Sequence, residues 1–290
     1  MSGDAVNGWT GGQISLVRVL VALVAMTHAP PCEDLLRCLA VAALSIAFLL
    51  GWHWRLAGFA ILSVILATRD GGTVGVHGPI LLLVFTPGVP YGAWPARGRP
   101  DPDGGFRLGR VFLLVARGLV LLSAFSLWRG HMDPDLGLVL LLLLACDPAW
   151  IPGTRADGEE RLFYDGDCGL CHRFVRFLLA EDRHATLRLA PLQGETFAAT
   201  IPDEERAALP DSLVLRTADG RTLTRTAAVV HALSRLGGLW RLAAALLRVV
   251  PRPLRDLGYD LVAKVRKRVF PAPEGVCPIV PPDLAARFDP

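Results

Sequence analysis

The chain has little net charge. Thirty Lys and Arg against 27 Asp and Glu leave +3 over 290 residues. That excess is too small to hold a polyphosphate backbone, which excludes nucleic acid as a partner. Cysteine is scarce as well. Cys32, Cys38, Cys146, Cys168, Cys171 and Cys277 are all there is, too few in so long a chain for a disulfide scaffold. C-x-x-C occurs once, at Cys168–Cys171, whereas a structural zinc site commonly takes two such pairs. A cleavable signal pattern is missing too. Met1–Gln13 has no basic start, and Ile14–Met26 reads better as a first membrane span than as a signal core.

What the chain has in quantity is apolar surface. Hydrophobic residues make up 52% and the mean hydropathy is +0.42, which points to membrane spans. Residues 1–150 carry 10 Lys+Arg and 9 Asp+Glu, and residues 151–290 carry 20 and 18. A boundary near 150 follows. The first part holds six apolar runs: Ile14–Met26, Leu35–Trp52, Trp54–Thr68, Pro79–Val89, Leu108–Trp128 and Leu136–Cys146. They predict a helical bundle of four to six spans, six being favoured, with Pro79–Val89 a candidate re-entrant segment. The alternative, a soluble all-helical core, fits poorly with Leu138–Leu144, which has no polar face. With six spans, Arg55, Arg97, Arg99, Arg107 and Arg110 share a side with the basic C-terminal half, against Arg37, Arg69 and Arg129 on the other. The expected location is the cell membrane, multi-pass, with the C-terminal half in the cytoplasm. Arg18 and Arg117 lie within apolar runs close enough to span ends to snorkel. His28, His53, His77 and His131 lack metal-site spacing and read as loop histidines.

Beyond the boundary, 151–160 reads as a linker from its prolines, glycines and charges. Residues 161–238 alternate strand and helix patterns. Arg161–Tyr164 is a strand, broken by Asp165-Gly166-Asp167. His172–Ala180 has helical spacing, Thr186–Leu192 is a strand, and Glu195–Leu209 is a broken helix. Ser212–Arg216 and Arg221–Thr224 form a hairpin about Asp219-Gly220, and Thr226–Leu236 is a helix ending at Gly237-Gly238. The order βαβαββα is that of an α/β thioredoxin-like or glutaredoxin-like core. Residues 239–290 add two basic helices, split by Pro251 and Pro253, and a tail.

In such a core the C-x-x-C follows the first strand and opens the first helix. The amides of a helix N-terminus favour a thiolate, the species that attacks a disulfide. Cys168 is the expected exposed nucleophile and Cys171, one turn inside, the resolving thiol. Asp165 and Asp167 flank the pair. A carboxylate there would oppose thiol ionisation or relay a proton to a leaving thiolate. Helix capping is the favoured role for Asp167, and Asp165 is left open. Pro210, just before the third strand, is the candidate for a cis-proline beside the dithiol.

Phe163-Tyr164-Asp165-Gly166-Asp167-Cys168-Gly169-Leu170-Cys171 resembles the signature of the DCC family of thiol–disulfide oxidoreductases. The resemblance continues through Ala190-Pro191-Leu192-Gln193, Leu209-Pro210-Asp211-Ser212, Ala227–Leu236, Val250–Asp256, Tyr259 and Cys277, and covers about residues 161–285. It implies a thioredoxin-like fold with Cys168 and Cys171 as the redox pair. More loosely, the first half resembles multi-span modules fused to this domain, such as those akin to vitamin K-dependent carboxylase.

Rival readings of the dithiol are weaker. Cys168–His172 matches the C-x-x-C-H haem-attachment pattern, but haem attachment is extracytoplasmic and the Arg count puts this half inside. Zinc would need His172 and Cys277 as additional ligands, and adjacent Cys171 and His172 chelate awkwardly from one helix. A quinone-linked electron relay would need Cys32 and Cys38, which are not C-x-x-C and read as structural. The expectation is therefore a membrane-tethered thiol–disulfide oxidoreductase with no cofactor beyond its dithiol. Its partners are a thiol or disulfide protein substrate and membrane lipid. A redox-sensing domain that regulates a membrane transport or binding module is the alternative. Arg241, Arg248, Arg252, Arg255, Lys264, Arg266, Lys267 and Arg268 stand against Asp256 and Asp260 in Leu239–Phe270. That stretch reads equally as helices lying on an anionic leaflet or as an ordinary helix pair with a solvated charged face.

Overall fold

The computed structural model describes residues 7–27, 35–67, 74–129, 135–270 and 281–290. The chain divides into two compact units, Met1–Arg97 with Gly104–Ala149, and Gly98–Asp103 with Trp150–Pro290. Cys32, His28, Arg69, His131 and Cys277 lie outside the described residues.

The first unit is mostly helical: α1 (Gly11–Thr27), α2 (Leu35–Leu50), α3 (Trp54–Ala67), α4 (Val74–Val84), α5 (Arg110–Trp128) and α6 (Leu136–Ala145). Each apolar run of the sequence is a helix, including the one holding Pro79, inside α4. Length separates them. Among the described residues only α5, 19 residues with a mean hydropathy of 2.1, is long and apolar enough to cross a membrane. The 10 residues of α6 rise only about 15 Å against a hydrocarbon core of about 30 Å. Of the expected multi-span bundle, the described residues show a mostly helical unit with one candidate span. Backbone geometry explains one shortfall. Gly51 at φ 70° and His53 at φ 44° end α2 and turn the chain into α3.

Arg18 does not snorkel. It is 1% exposed, its Nη2 donates to Gly92 O at 3.2 Å, and a Cβ at Gly51 would lie 2.8 Å from its Cζ. Two backbone approaches that only glycine allows thus enclose the guanidinium. Arg117 is exposed, and its Nε donates to Ala145 O at the end of α6 (3.3 Å), where a cation offsets the free carbonyls.

The second unit is α/β. Its elements are β1 (Glu160–Tyr164), α7 (Gly169–Glu181), β2 (Leu187–Pro191), α8 (Glu195–Thr200), α9 (Asp203–Ala207), β3 (Val214–Arg216), β4 (Thr222–Thr224), α10 (Arg225–Leu236), α11 (Gly238–Val249), α12 (Arg252–Val269) and α13 (Pro282–Ala285). The sheet order is β2-β1-β3-β4. β1 runs parallel to β2, with Leu162 opposite Leu189, and antiparallel to β3, with Leu162 opposite Leu215. β3 and β4 form the hairpin, turned at Gly220 with φ 81°. Strand alternation sorts the core. Leu162, Leu187, Leu189 and Leu215 pack on Val175 and Leu178 of α7 and Ala228 and Ala232 of α10. Phe163, Ala190 and Val214 face the other way, onto Ile201, Phe197 and Leu209.

The end of the chain covers the edge of β2. Leu189 N–H donates to Arg287 O (2.9 Å) and Asp289 N–H to Leu189 O (2.8 Å), which occupies backbone groups an open edge would leave unpaired. Ahead of β1, the segment read as a linker is fastened to the helices. Thr154 N–H donates to Ser234 O (2.9 Å) and Gly238 N–H to Ile151 O (2.7 Å). A Cβ on Gly153 would sit 1.9 Å from Arg235 O, so one of the two backbones must move to admit it. Gly153→Ala is expected to destabilise the domain by about 1–3 kcal/mol, readable as a lower urea midpoint for the loss of its near-ultraviolet signal.

Candidate active site

The site forms where β1 ends. Asp165-Gly166-Asp167 turns the chain so that Cys168 becomes the N-cap of α7, with extended φ −112° and ψ 110°. Its Sγ accepts the Cys171 N–H at 3.4 Å, the place a serine or threonine oxygen takes in an ordinary cap. This corrects the role expected of Asp167, which is exposed one residue outside the helix. Asp165 closes the turn instead. Its Oδ1 accepts from Asp167 N–H (3.0 Å) and from Gln193 Nε2 (3.1 Å), while Gln193 Oε1 accepts from Gly166 N–H (3.1 Å). The imidazole of His172 lies 2.7 Å through Nε2 from Gly166 O and packs edge-on to Tyr164, so it too holds the turn. Among the described residues no group of three His, Cys, Asp or Glu is arranged to hold a metal ion.

The expectation of an exposed Cys168 is overturned. Cys168 is 0% and Cys171 5% exposed; both are free thiols set in the same core cluster as Leu162 and Leu213. The end of α12 closes over this corner. Gly169 N–H donates to Phe270 O at 3.3 Å, and the Arg173 guanidinium stacks over the Phe270 ring at 4.6 Å. Nor is Pro210 a cis-proline, because no cis peptide bond occurs among the described residues. The approach to β3 is fixed by other means, with Leu213 N–H donating to Tyr259 Oη (2.9 Å) and Asp211 bonded to Arg266.

Arg266 is the residue that sequence reasoning passed over. Its guanidinium is buried, and Nη2 donates to Asp211 Oδ1 at 2.6 Å and to Asp165 Oδ2 at 3.5 Å. Eight cations crowd its stretch of sequence. The one usable signal was its spacing of seven from Tyr259, which puts both on one helical face. Tyr259, Val262, Ala263 and Arg266 line an apolar cavity of about 200 Å³ together with Cys171, Leu170 and Phe174.

Charge differentiates the two thiols. Burial, the hydrogen bond to Cys168 and the charge of that neighbour push the Cys171 thiol up to about 12, with Arg266 opposing. Cys171 is thus held as the neutral thiol at neutral pH. Burial works against the charge of Arg266, and the carboxylate of Asp211 at 2.6 Å offsets it. Arg266→Gln takes the cation from the buried Asp165 and is expected to destabilise the domain by about 1–3 kcal/mol, read as a lower urea midpoint, whereas Arg266→Lys should keep most of the stability.

Cys168 and Cys171 thus sit in the first turn of α7, with the inner thiol raised and the buried Arg266 beside it. Residues 162–272 match the family model described as DCC1-like thiol-disulfide oxidoreductase. The uncharacterized protein YuxK of Bacillus subtilis is 32% identical over 133 residues, 44% of this chain and 93% of that protein. A chloroplastic DCC family protein of Arabidopsis thaliana is 27% identical over 125 residues, 42% of this chain and 73% of that one. No solved structure matches significantly. Through its C-terminal domain the chain belongs to the DCC1-like thiol-disulfide oxidoreductase family.

Proposed function

We propose that the C-terminal unit is a thioredoxin-like domain that exchanges thiols and disulfides through Cys168 and Cys171, and that the helical unit tethers it to a membrane. The observation that carries the redox reading is the capping of α7 by Cys168 Sγ, which places the first sulfur at the amides of the helix N-terminus. Strand order β2-β1-β3-β4, with the C-x-x-C between β1 and α7, supports the fold assignment.

In the reducing direction, the Cys168 thiolate attacks one sulfur of a substrate disulfide. A mixed disulfide forms and the other substrate sulfur leaves as a thiolate. Cys171 then loses its proton and attacks Cys168 Sγ. The second substrate thiolate leaves, and the domain retains a Cys168–Cys171 disulfide. Two electrons pass to the substrate. Because Cys168 is buried, its surroundings must open before a protein disulfide can reach the sulfur.

The tether is supported by α5, whose apolar side chains Val111, Leu114, Leu121, Leu122 and Phe125 are exposed, and by the shorter apolar helices Gly11–Thr27, Cys38–Leu50, Trp54–Val64 and Leu136–Ala145. With six spans assumed, the Arg distribution favours a cytoplasmic redox domain. The redox reading is tested on the purified full chain in glutathione buffers of graded potential. Cys168 and Cys171 should interconvert reversibly between dithiol and intramolecular disulfide, with a two-electron slope, and the reduced form should reduce insulin. A pair that stays reduced throughout, or oxidises without recovery, overturns it.

A further inference from the structure

We infer that α12, with the end of α11, docks the redox domain onto an anionic lipid surface. The inference stands apart from the redox chemistry proposed above. It rests on an inverted amphipathic pattern. The face of α12 turned to the domain is its polar one. Asp256 accepts from Thr226, Asp260 pairs with Arg225 at 2.9 Å, Tyr259 accepts from Leu213 N–H, and Arg266 is buried among Asp165 and Asp211. The opposite face is apolar and exposed. Leu254, Leu257, Leu261, Val265 and Val269 recur at three- and four-residue spacing, each about half exposed or more. They form one continuous stripe about 22 Å long at 1.5 Å per residue. The preceding helix ends likewise, with Leu242, Leu246 and Val249 exposed at i, i+4 and i+7.

Charge chooses the occupant. Arg248, Lys264 and Arg268 are exposed along the two helices, whereas both carboxylates of the stretch are engaged, Asp256 with Thr226 of α10 and with Arg252, and Asp260 with Arg225. An apolar stripe with the cations Lys264 and Arg268 beside it fits acyl chains beneath anionic headgroups. Val262 belongs to the exposed side and also lines the cavity beside Cys171, so docking would bring the mouth of the dithiol site to the membrane surface.

The test uses the full chain reconstituted into phosphatidylcholine vesicles with or without one-third phosphatidylglycerol. A phospholipid with a photoreactive acyl chain is included, and adducts are mapped by mass spectrometry. Adducts should appear on residues 254–269 in the anionic vesicles. They should fall several-fold in neutral vesicles or in 0.5 M salt, and vanish in Leu257→Asp/Leu261→Asp. Those side chains are exposed, so insulin reduction in detergent should survive the double change. The inference is overturned if 254–269 stays unlabelled in anionic vesicles, if labelling ignores lipid charge, or if this face crosslinks to a second copy of the chain instead. Adducts on Arg110–Trp128 report the tether separately, and insulin reduction reports the redox reading.

Discussion

Replacing Cys168 with serine is expected to bring disulfide reduction to background while the domain stays folded. The two outcomes separate because one sulfur has two roles. As a structural group it accepts the Cys171 N–H at the start of α7. A serine hydroxyl does this at least as well, since serine is among the best N-cap residues. As a chemical group it is the only thiol of the pair at the helix terminus. The remaining thiol, Cys171, sits inside the first turn and is pushed up to about 12, which leaves almost no thiolate at neutral pH. Thermal melting and the near-ultraviolet spectrum should match those of the unaltered protein. Cys171→Ser gives the complementary result. Attack by Cys168 still occurs, resolution does not, and a mixed disulfide with substrate accumulates. Full activity in Cys168→Ser would reverse the order of the two thiols. Activity in both single variants would remove the pair from the mechanism.

Much of this arrangement can be read from the residues. Arg161–Tyr164, the Asp-Gly-Asp break and the amphipathic run after Cys171 place the dithiol at a strand–helix junction by local pattern alone. Gly237 and Gly238, at φ 73° and 54°, end α10 where their sequence position says a helix must stop. What stays hidden depends on contacts remote in sequence. Nothing near Cys168 announces that Phe270, about a hundred residues on, bonds to the next residue, Gly169. Asp167 has the right residue type for a cap, but the turn closed by Asp165 and Gln193 shifts the helix start by one residue and hands the role to a thiol. Arg266 looks like its neighbours Lys267 and Arg268 until the fold shows it buried against the dithiol. The run Leu35–Trp52 counts as nearly long enough for a span, yet Gly51 in a left-handed conformation ends α2 early.

Arg235→Met is expected to destabilise the C-terminal domain by about 3–5 kcal/mol, the cost of leaving a buried charge without its partner. Glu160 opens β1 and is 2% exposed. Arg235 of α10 grips it with a two-point fork, Nε to Oε2 at 2.6 Å and Nη2 to Oε1 at 2.5 Å, and His231 approaches both oxygens at 3.1 Å. Burial alone would raise the carboxyl, but the hydrogen bonds and charges of His231 and Arg235 outweigh it and hold the group at about 2. A carboxyl held below its free-chain value of 4.5 binds its proton more readily in the unfolded chain. Its contribution is therefore fully present above about pH 4.5 and is lost as pH falls toward about 2. Asp289, held at about 2 by Arg188 and Arg161, loses its contribution over much the same window. The unaltered protein thus sums both losses, and the difference between its urea stability and that of Arg235→Met isolates Glu160. That difference should be constant above pH 4.5 and shrink below it. Removing the charge along with its partner, in Glu160→Leu/Arg235→Met, should recover most of the stability and flatten the acid limb. A double variant as unstable as Arg235→Met alone would show that the fork acts through packing, not charge.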